Sequence, residues 1–456
     1  VWQDLRNGNY DLWGQKISLS GAQLWDKKGI IICNAQGVVA HQNVNLIRSN
    51  QVETIVVFED GRFGYTNIFA QKINAAGTLL WGKDGIAVAK VKAHQANPQL
   101  VSDGAGGAII AWEDNRNPNF PKIYAQRIST TGKKIWENGS LPLTKINSRQ
   151  SRPLVVSDQA AGAIVIWEDE RSPLGLKDLY AQRISAKGEL LWGKNGIPVC
   201  TENGDQTDVV AVSDGFGGVF VVWTDYRNGE RNPDIYAQRI NSQGKLLWKE
   251  DGVVVCAAPD VQRSPQIAND NEGGIVISWT DKGGGSYDIY AQRLNSQGNA
   301  LWLADGIPVS QLARTQQNSR WATSQILVWE DYRFGNWDIF AAALSAQGKL
   351  IWGEEGIAIV SLPQTQYSPQ AIPWKDDSAI ISWEDYRSGQ QYEIFVQKIS
   401  KEGKIAWTPN GVLVKTQNGA RTPKILGQPQ ENSFVVVWED FTGGGRAIYG
   451  QRFLTD

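Results

Sequence analysis

The chain has 456 residues, with 45 Lys and Arg against 47 Asp and Glu, so its formal net charge is only −2. This balance excludes the concentrated basic face that a nucleic-acid backbone or an anionic bilayer selects, and no stretch approaches the roughly 20 apolar residues needed to cross a membrane. The composition predicts a soluble protein with no nucleic-acid partner and no membrane insertion, and a start at Val1 without a charged and apolar leader reads as a mature product or an excised fragment.

In chain order the first feature is the phrase Trp2-Gln3-Asp4, an aromatic-x-Asp unit that recurs along the whole sequence. Its leading aromatics are Trp2, Phe58, Trp112, Trp167, Trp223, Trp279, Trp329, Trp383 and Trp438, at intervals of 50 to 56 residues. A constant period means one structural unit, duplicated, that buries its apolar faces against its neighbours. Residues 1–17 read as a hairpin made of the second and third strands of such a unit, and a fourth strand surrounds Trp25. A complete unit starts with strand A at residues 98–102, followed by the tight turn Asp103-Gly104-Ala105-Gly106-Gly107 and strand B at 108–113. After a loop with Asp114 and Arg116 come strand C at 123–128 and strand D at 134–143, around Trp136. Helical periodicity is absent, and four antiparallel strands per repeat of this length mark a β-propeller blade.

Strands A and D each occur eight times and strands B and C nine, which makes 34 strands, two more than eight four-stranded blades need. The economical fold class is all-β: an eight-bladed β-propeller over residues 18–456, closed by mixing the chain ends. The D strand around Trp25 then completes a last blade whose other strands span residues 422–453, and residues 1–17 remain as a surplus hairpin or truncated blade. Nine blades, two of them three-stranded, is the alternative.

The segments Ser213-Asp214-Gly215, Trp223-Thr224-Asp225-Tyr226-Arg227 and Asp234-Ile235-Tyr236 resemble the TolB-type propeller repeat. The longer form, with Ala237-Gln238-Arg239, Leu247-Trp248 and Gly252-Val253, is similar to repeats of large secreted bacterial proteins, many of them type IX secretion cargo. The resemblance covers nearly the entire chain and implies an extracellular or cell-surface bacterial location. It implies no chemistry, because propeller repeats carry unrelated functions.

Several polar residues recur too regularly to be catalytic, since a catalytic group is needed once. Asp and Arg two positions apart on an extended segment project to the same side and can pair in the B–C loop. Asp60 with Arg62, Asp114 with Arg116, Asp169 with Arg171, Asp225 with Arg227, Asp331 with Arg333 and Asp385 with Arg387 are therefore expected as structural pairs. One acid beside an arginine does not supply the six to eight oxygens of a calcium site, so no cofactor or catalytic metal is expected, and only a structural calcium ion is left open. The strand-C glutamines, such as Gln182 and Gln238, are expected to serve backbone groups. Cys33, Cys200 and Cys256 occupy equivalent positions of separate units and are expected unpaired and buried. His41 and His94 have no ligand spacing around them.

Function is then sought where the repeat breaks. The unit at Asp281-Lys282-Gly283-Gly284-Gly285 loses its arginine, the seventh strand C reads Ala341-Ala342-Ala343, and the last unit reads Asp440-Phe441-Thr442-Gly443. Trp321, Trp337 and Trp374 stand outside the two tryptophan series and are the candidate binding residues, as platforms for a sugar ring or a partner's side chain. The expected function is a noncatalytic secreted scaffold that binds protein or glycan at the cell surface, with self-assembly through the residue 1–17 hairpin. The alternative is an extracellular polysaccharide hydrolase or lyase whose acids come from unlike loops, since paired carboxylates leave no local signature.

Overall fold

The computed structural model describes the chain apart from residues 5–7, 9, 17–22, 36–41, 51, 137–138, 415–418, 443–444 and 456. Among the described residues the strands pair antiparallel and fall into nine sheets, seven of four strands and two of three, which makes an all-β propeller of nine blades. The chain divides into two compact units, one built chiefly from Gln23–Val221 and the other chiefly from Val254–Asp456. No described helix is long and apolar enough to cross a membrane.

The blade count corrects the expected eight. Blade 1 consists of Trp2–Asp4, Asp11–Gly14 and Ile30–Cys33, and its last two strands pair with each other, Leu12 opposite Cys33 and Trp13 opposite Ile31. Blade 9 has only Ala420–Gln428, Ser433–Thr442 and Gly445–Leu454. The reason is local. The Gln15 carboxamide accepts from the Trp25 amide at 3.1 Å and donates to the Asp26 carbonyl at 2.7 Å, which folds this D strand back onto its own strand C. A strand count cannot reveal which neighbour a terminal strand chooses.

Blade 4 shows how the sequence makes the unit. Its strands are Gln150–Ser157, Ala163–Asp169, Asp178–Ile184 and Ile197–Cys200. Every residue of strand B is buried, because this second strand is covered on both faces, and its β-branched Ile164, Val165 and Ile166 suit a pleat packed from two sides. Each such side chain contributes about 1.5–3 kcal/mol by leaving water. Asp158 closes the A–B turn by accepting from Ala160 N at 2.8 Å and Gly162 N at 2.7 Å, and its other oxygen takes Arg183 Nε at 2.9 Å. Gln182 ties strand C to the approach of strand D, accepting from Trp192 N at 2.9 Å and donating to Gly193 O at 2.6 Å.

Neighbouring blades are joined by the same residues. Arg183 Nη1 and Trp192 Nε1 both donate to the Ser242 carbonyl of the next C–D turn, at 2.7 and 3.2 Å. The Trp192 indole lies against Gly244 (φ +81°), where a Cβ would come within 2.6 Å of the ring, so glycine is required for this contact. The D strands begin about five residues beyond the tryptophan. In blade 3 the D strand is Leu141–Pro142, shorter than the expected 134–143, because Trp136 N is already held by Gln126 and the preceding bridge is Lys134 to Ile128.

Candidate active site

At the B–C end of each regular blade, chain segments meet around one aspartate–arginine pair. In blade 7, strand B (Ile326–Asp331) ends at Asp331, whose Oδ2 accepts from Trp329 Nε1 at 2.9 Å and Arg333 Nη2 at 2.6 Å, while Oδ1 accepts from Arg333 Nε at 2.9 Å. The Arg333 guanidinium lies 3.8 Å over the Phe340 ring of strand C and donates to the Glu355 carbonyl before strand D at 3.1 Å. Arg116, Arg171, Arg227 and Arg387 pair with Asp114, Asp169, Asp225 and Asp385 at 2.8, 2.5, 2.7 and 2.6 Å, and Arg62 pairs with Asp60 in the same way. Each of these carboxylates is held mainly by its own blade, and Asp60 and Asp331 also accept from Cys33 and Ser310 of the preceding one, both at 3.5 Å.

Facing Asp169, Asp331 and Asp385 across the B–C pair are acids that start strand C, whereas Asp60 faces Asn67 and Asp114 faces Lys122. Burial, the largest cause, pushes Asp178, Asp234 and Asp338 up to about 6 and Asp288 up to about 7. Asp288 sits opposite Asp281 in the blade that lacks the arginine, and the Asp281 charge adds to the rise.

The three singular tryptophans are not brought together. Trp321 and Trp374 lie at the A–B end of blades 7 and 8, Trp321 packed against the core cluster that holds Leu327 and Trp329, and Trp374 edge-on to Phe434 at 6.1 Å and only 5% exposed. Trp337 lies at the opposite, B–C end, 5.0 Å from Tyr332 and 6.4 Å from Tyr367 between ring centres. The three cysteines are buried, and none is in a disulfide. His94 Nδ1 is 3.1 Å from Thr66 Oγ1, and His41 lies outside the described residues.

An open pocket of about 420 Å³ lies on the A strands of blades 3, 4 and 5 (Gln95–Ser102, Gln150–Ser157 and Gln206–Ser213) and includes Asn97, Gln99, Arg152, Glu168 and Asp208 in its lining. Its volume falls within the range of roughly 300–1,000 Å³ typical of small-molecule sites. Each A strand carries a left-handed residue near its start: Asn97 (φ 53°), Arg152 (φ 52°) and Asp208 (φ 51°), with a break in register at Ala96 to Gln99 and again at Ser151 to Leu154. Such a bulge turns a side chain out of the ladder. The amide it exposes is captured by the glutamate of the preceding blade: Asn97 N donates to Glu59 at 2.8 Å and Arg152 N to Glu113 at 2.7 Å.

Glu168 is the member of this glutamate series that lines the pocket. It is 2% exposed, with Arg152 Nη1 at 3.3 Å and Lys177 Nζ at 3.3 Å. The pocket thus combines a buried carboxylate, a second carboxylate at Asp208 and the cation of the largely exposed Arg152 side chain, while Lys177 contacts Glu168 without being one of the lining residues. Sequence reasoning passed over these residues because Glu168 is the x of Trp-x-Asp, one position from the conspicuous pair and on the opposite side of the strand. A signal was present. The bulge positions read Asn43, Asn97, Arg152, Asp208, Ser264, Asn318, Ser368 and Thr422, and the two charged ones are consecutive.

No protein-family model matches the chain, and no curated protein matches it in sequence. Among solved structures it is similar to a puromycin hydrolase, at 12% identity and TM-score 0.44, over 96% of this chain and 62% of that one. It is similar to a puromycin-hydrolyzing peptidase of Mycobacterium tuberculosis, at 12% identity and TM-score 0.42, over 79% of this chain and 53% of that one. A third is the polysaccharide lyase Uly1, at 8% identity and TM-score 0.46, over 94% of this chain and 93% of the lyase. The likeness is one of fold. This chain spans only about half to three-fifths of the two puromycin-hydrolysing enzymes. The expectation of a noncatalytic scaffold is corrected: nothing in the structure supports that role, and the acids Glu168 and Asp208 line an open pocket. It rested on assigning every recurring acid to structure, and it overlooked the acids that line a pocket.

Proposed function

We propose that this protein is an extracellular enzyme that hydrolyses an acidic polysaccharide at the pocket holding Arg152, Glu168 and Asp208. The observation that carries the reading is the presence of two carboxylates, Glu168 and Asp208, from different blades in one open pocket of about 420 Å³. Glycoside hydrolysis needs such a pair: one carboxyl protonates the departing oxygen, and the other activates water or attacks the anomeric carbon. The exposed head of Arg152 suits a substrate carboxylate or sulfate, which a guanidinium can grip with two parallel bonds. Lys177 holds Glu168 from the other side and fixes its direction.

Hydrolysis is favoured over elimination because the pocket lining offers acids and an arginine but neither tyrosine nor histidine as a base. Trp337, flanked by Tyr332 and Tyr367, is proposed as a separate platform on which a sugar ring stacks. The test is a panel of acidic polysaccharides incubated with the wild type and with Glu168→Gln. New reducing ends that vanish in the variant support hydrolysis, unsaturated products would replace it by elimination, and no product from any polymer would refute the reading.

A further inference from the structure

Among the described residues, six blades fill one slot, between the strand-B aspartate and the strand-C ring, with their own arginine. The slot has four walls: the strand-B aspartate, the ring of the strand-C aromatic, a carbonyl just before strand D, and the residue that ends strand D of the preceding blade. Arg333 meets all four, through Asp331, the Phe340 ring at 3.8 Å, Glu355 O at 3.1 Å and Ser310 Oγ at 3.4 Å. Arg62 meets Asp60, the Phe69 ring at 4.0 Å, Asp84 O at 2.9 Å and Cys33 Sγ at 3.0 Å. Arg171 and Arg387 likewise lie 3.5 Å over Tyr180 and Phe395 and donate to Asn195 O and Asn410 O.

Blade 6 builds the walls without the arginine. Asp281 ends its strand B, Tyr290 stacks on Trp279 at 6.2 Å as the other strand-C rings do, Asp305 holds the place of Asp84 and Glu355, and Cys256 Sγ lies 3.9 Å from Asp281 Oδ2. The residue two positions after the aspartate is Gly283, and the intervening Lys282 turns away, its Nζ 6.0 Å from the Tyr287 ring. Asp281 keeps the local bonds of its counterparts, from Gly283 N at 2.7 Å and Trp279 Nε1 at 3.3 Å, and lacks only the guanidinium. Tyr290 and Gly283 are half-buried and Gly284 and Gly285 exposed, so the slot is reached from solvent over a loop with little side-chain cover.

We propose that the Asp281–Tyr290 slot of blade 6 is a binding site for the guanidinium group of an incoming arginine. Recognition follows the chain's own arginines: a planar fork on the carboxylate, as at Arg116, Arg227 and Arg333, a face on the strand-C ring, as at all six, and an edge to the carbonyl before strand D, as at Arg62, Arg171, Arg333 and Arg387. An ammonium cannot satisfy the fork and the ring together, so the site distinguishes arginine from lysine. The inference does not rest on the polysaccharide reading.

The test uses the full chain and three probes, N-acetyl-argininamide, its uncharged citrulline analogue, and a glycine-flanked arginine peptide, with binding read by titration calorimetry. Binding of the arginine probes is expected at millimolar concentration, weakened at least about tenfold in Asp281→Asn and abolished in Gly283→Arg, whose own side chain takes the slot. Tighter binding of the peptide assigns the site to a polypeptide partner, and equal binding assigns it to a small guanidino compound. Equal binding of citrulline, absence of binding, or wild-type binding by a folded Gly283→Arg variant overturns the proposal. Should Gly283→Arg not fold, Asp281→Asn decides alone.

Discussion

Arg152 Nη1 lies 3.3 Å from Glu168 Oε1, so an exposed guanidinium on one strand partners a carboxylate that is almost wholly buried on the next. Replacing Arg152 by Ala should leave folding nearly intact, because its side chain is mostly exposed and such pairs contribute little to stability. Its cost should fall on the Michaelis constant for an acidic polymer, with smaller change in turnover. Steady-state kinetics on the wild type and variant check this split.

The B–C loop pairs should behave in the opposite way. Asp385 is fully buried and joins Trp383 and Arg387, so Asp385→Ala leaves a partly buried guanidinium unpaired. A loss of about 3–5 kcal/mol is expected, visible as a large drop in the urea midpoint. Repeat proteins unfold in segments, so a separate early transition is an equally telling form of that loss.

Gln182→Leu should cost about 1–3 kcal/mol, because the variant keeps the volume but strands the buried Trp192 N, while the Gly193 carbonyl is exposed and can turn to water. Thermal unfolding against the wild type measures it.

The acids at the start of strand C predict how stability varies with pH. Burial, reinforced by Asp281, raises Asp288 to about 7 in the folded protein against its ordinary value of 3.8. Between those values the native state binds more protons than the unfolded chain, so stability falls as pH rises from about 4 towards 7. Asp178, Asp234 and Asp338, at about 6, act in the same direction. Asp288→Asn should therefore stabilise the protein at pH 8 and flatten the melting temperature between pH 6 and 8. A variant that melts lower than wild type at pH 8 would contradict this.

Local chemistry was legible in the sequence. The spacing of Trp329, Asp331 and Arg333 places a B-strand end and its loop because all three meet one another within five residues. The partner of a terminal strand was not legible, since Ile30–Cys33 could serve either end of the chain and only the Gln15 clamp decides. The pocket was hidden for a related reason. Arg152 and Asp208 reach it through left-handed bulges on neighbouring blades, and Glu168 reaches it from a different strand of the Arg152 blade, so no short motif joins them. Trp374 looked singular in sequence, yet it fills the contact with Phe434.

The central claim is that Glu168 and Asp208 act together on a glycosidic bond. The most direct measurement is the rate of reducing-end release from an acidic polysaccharide by wild type, Glu168→Gln and Asp208→Asn at matched fold. The expected result is cleavage by wild type and a fall of about a hundredfold or more in each variant, in line with loss of an acid or base group. Undiminished cleavage by both variants would contradict the account.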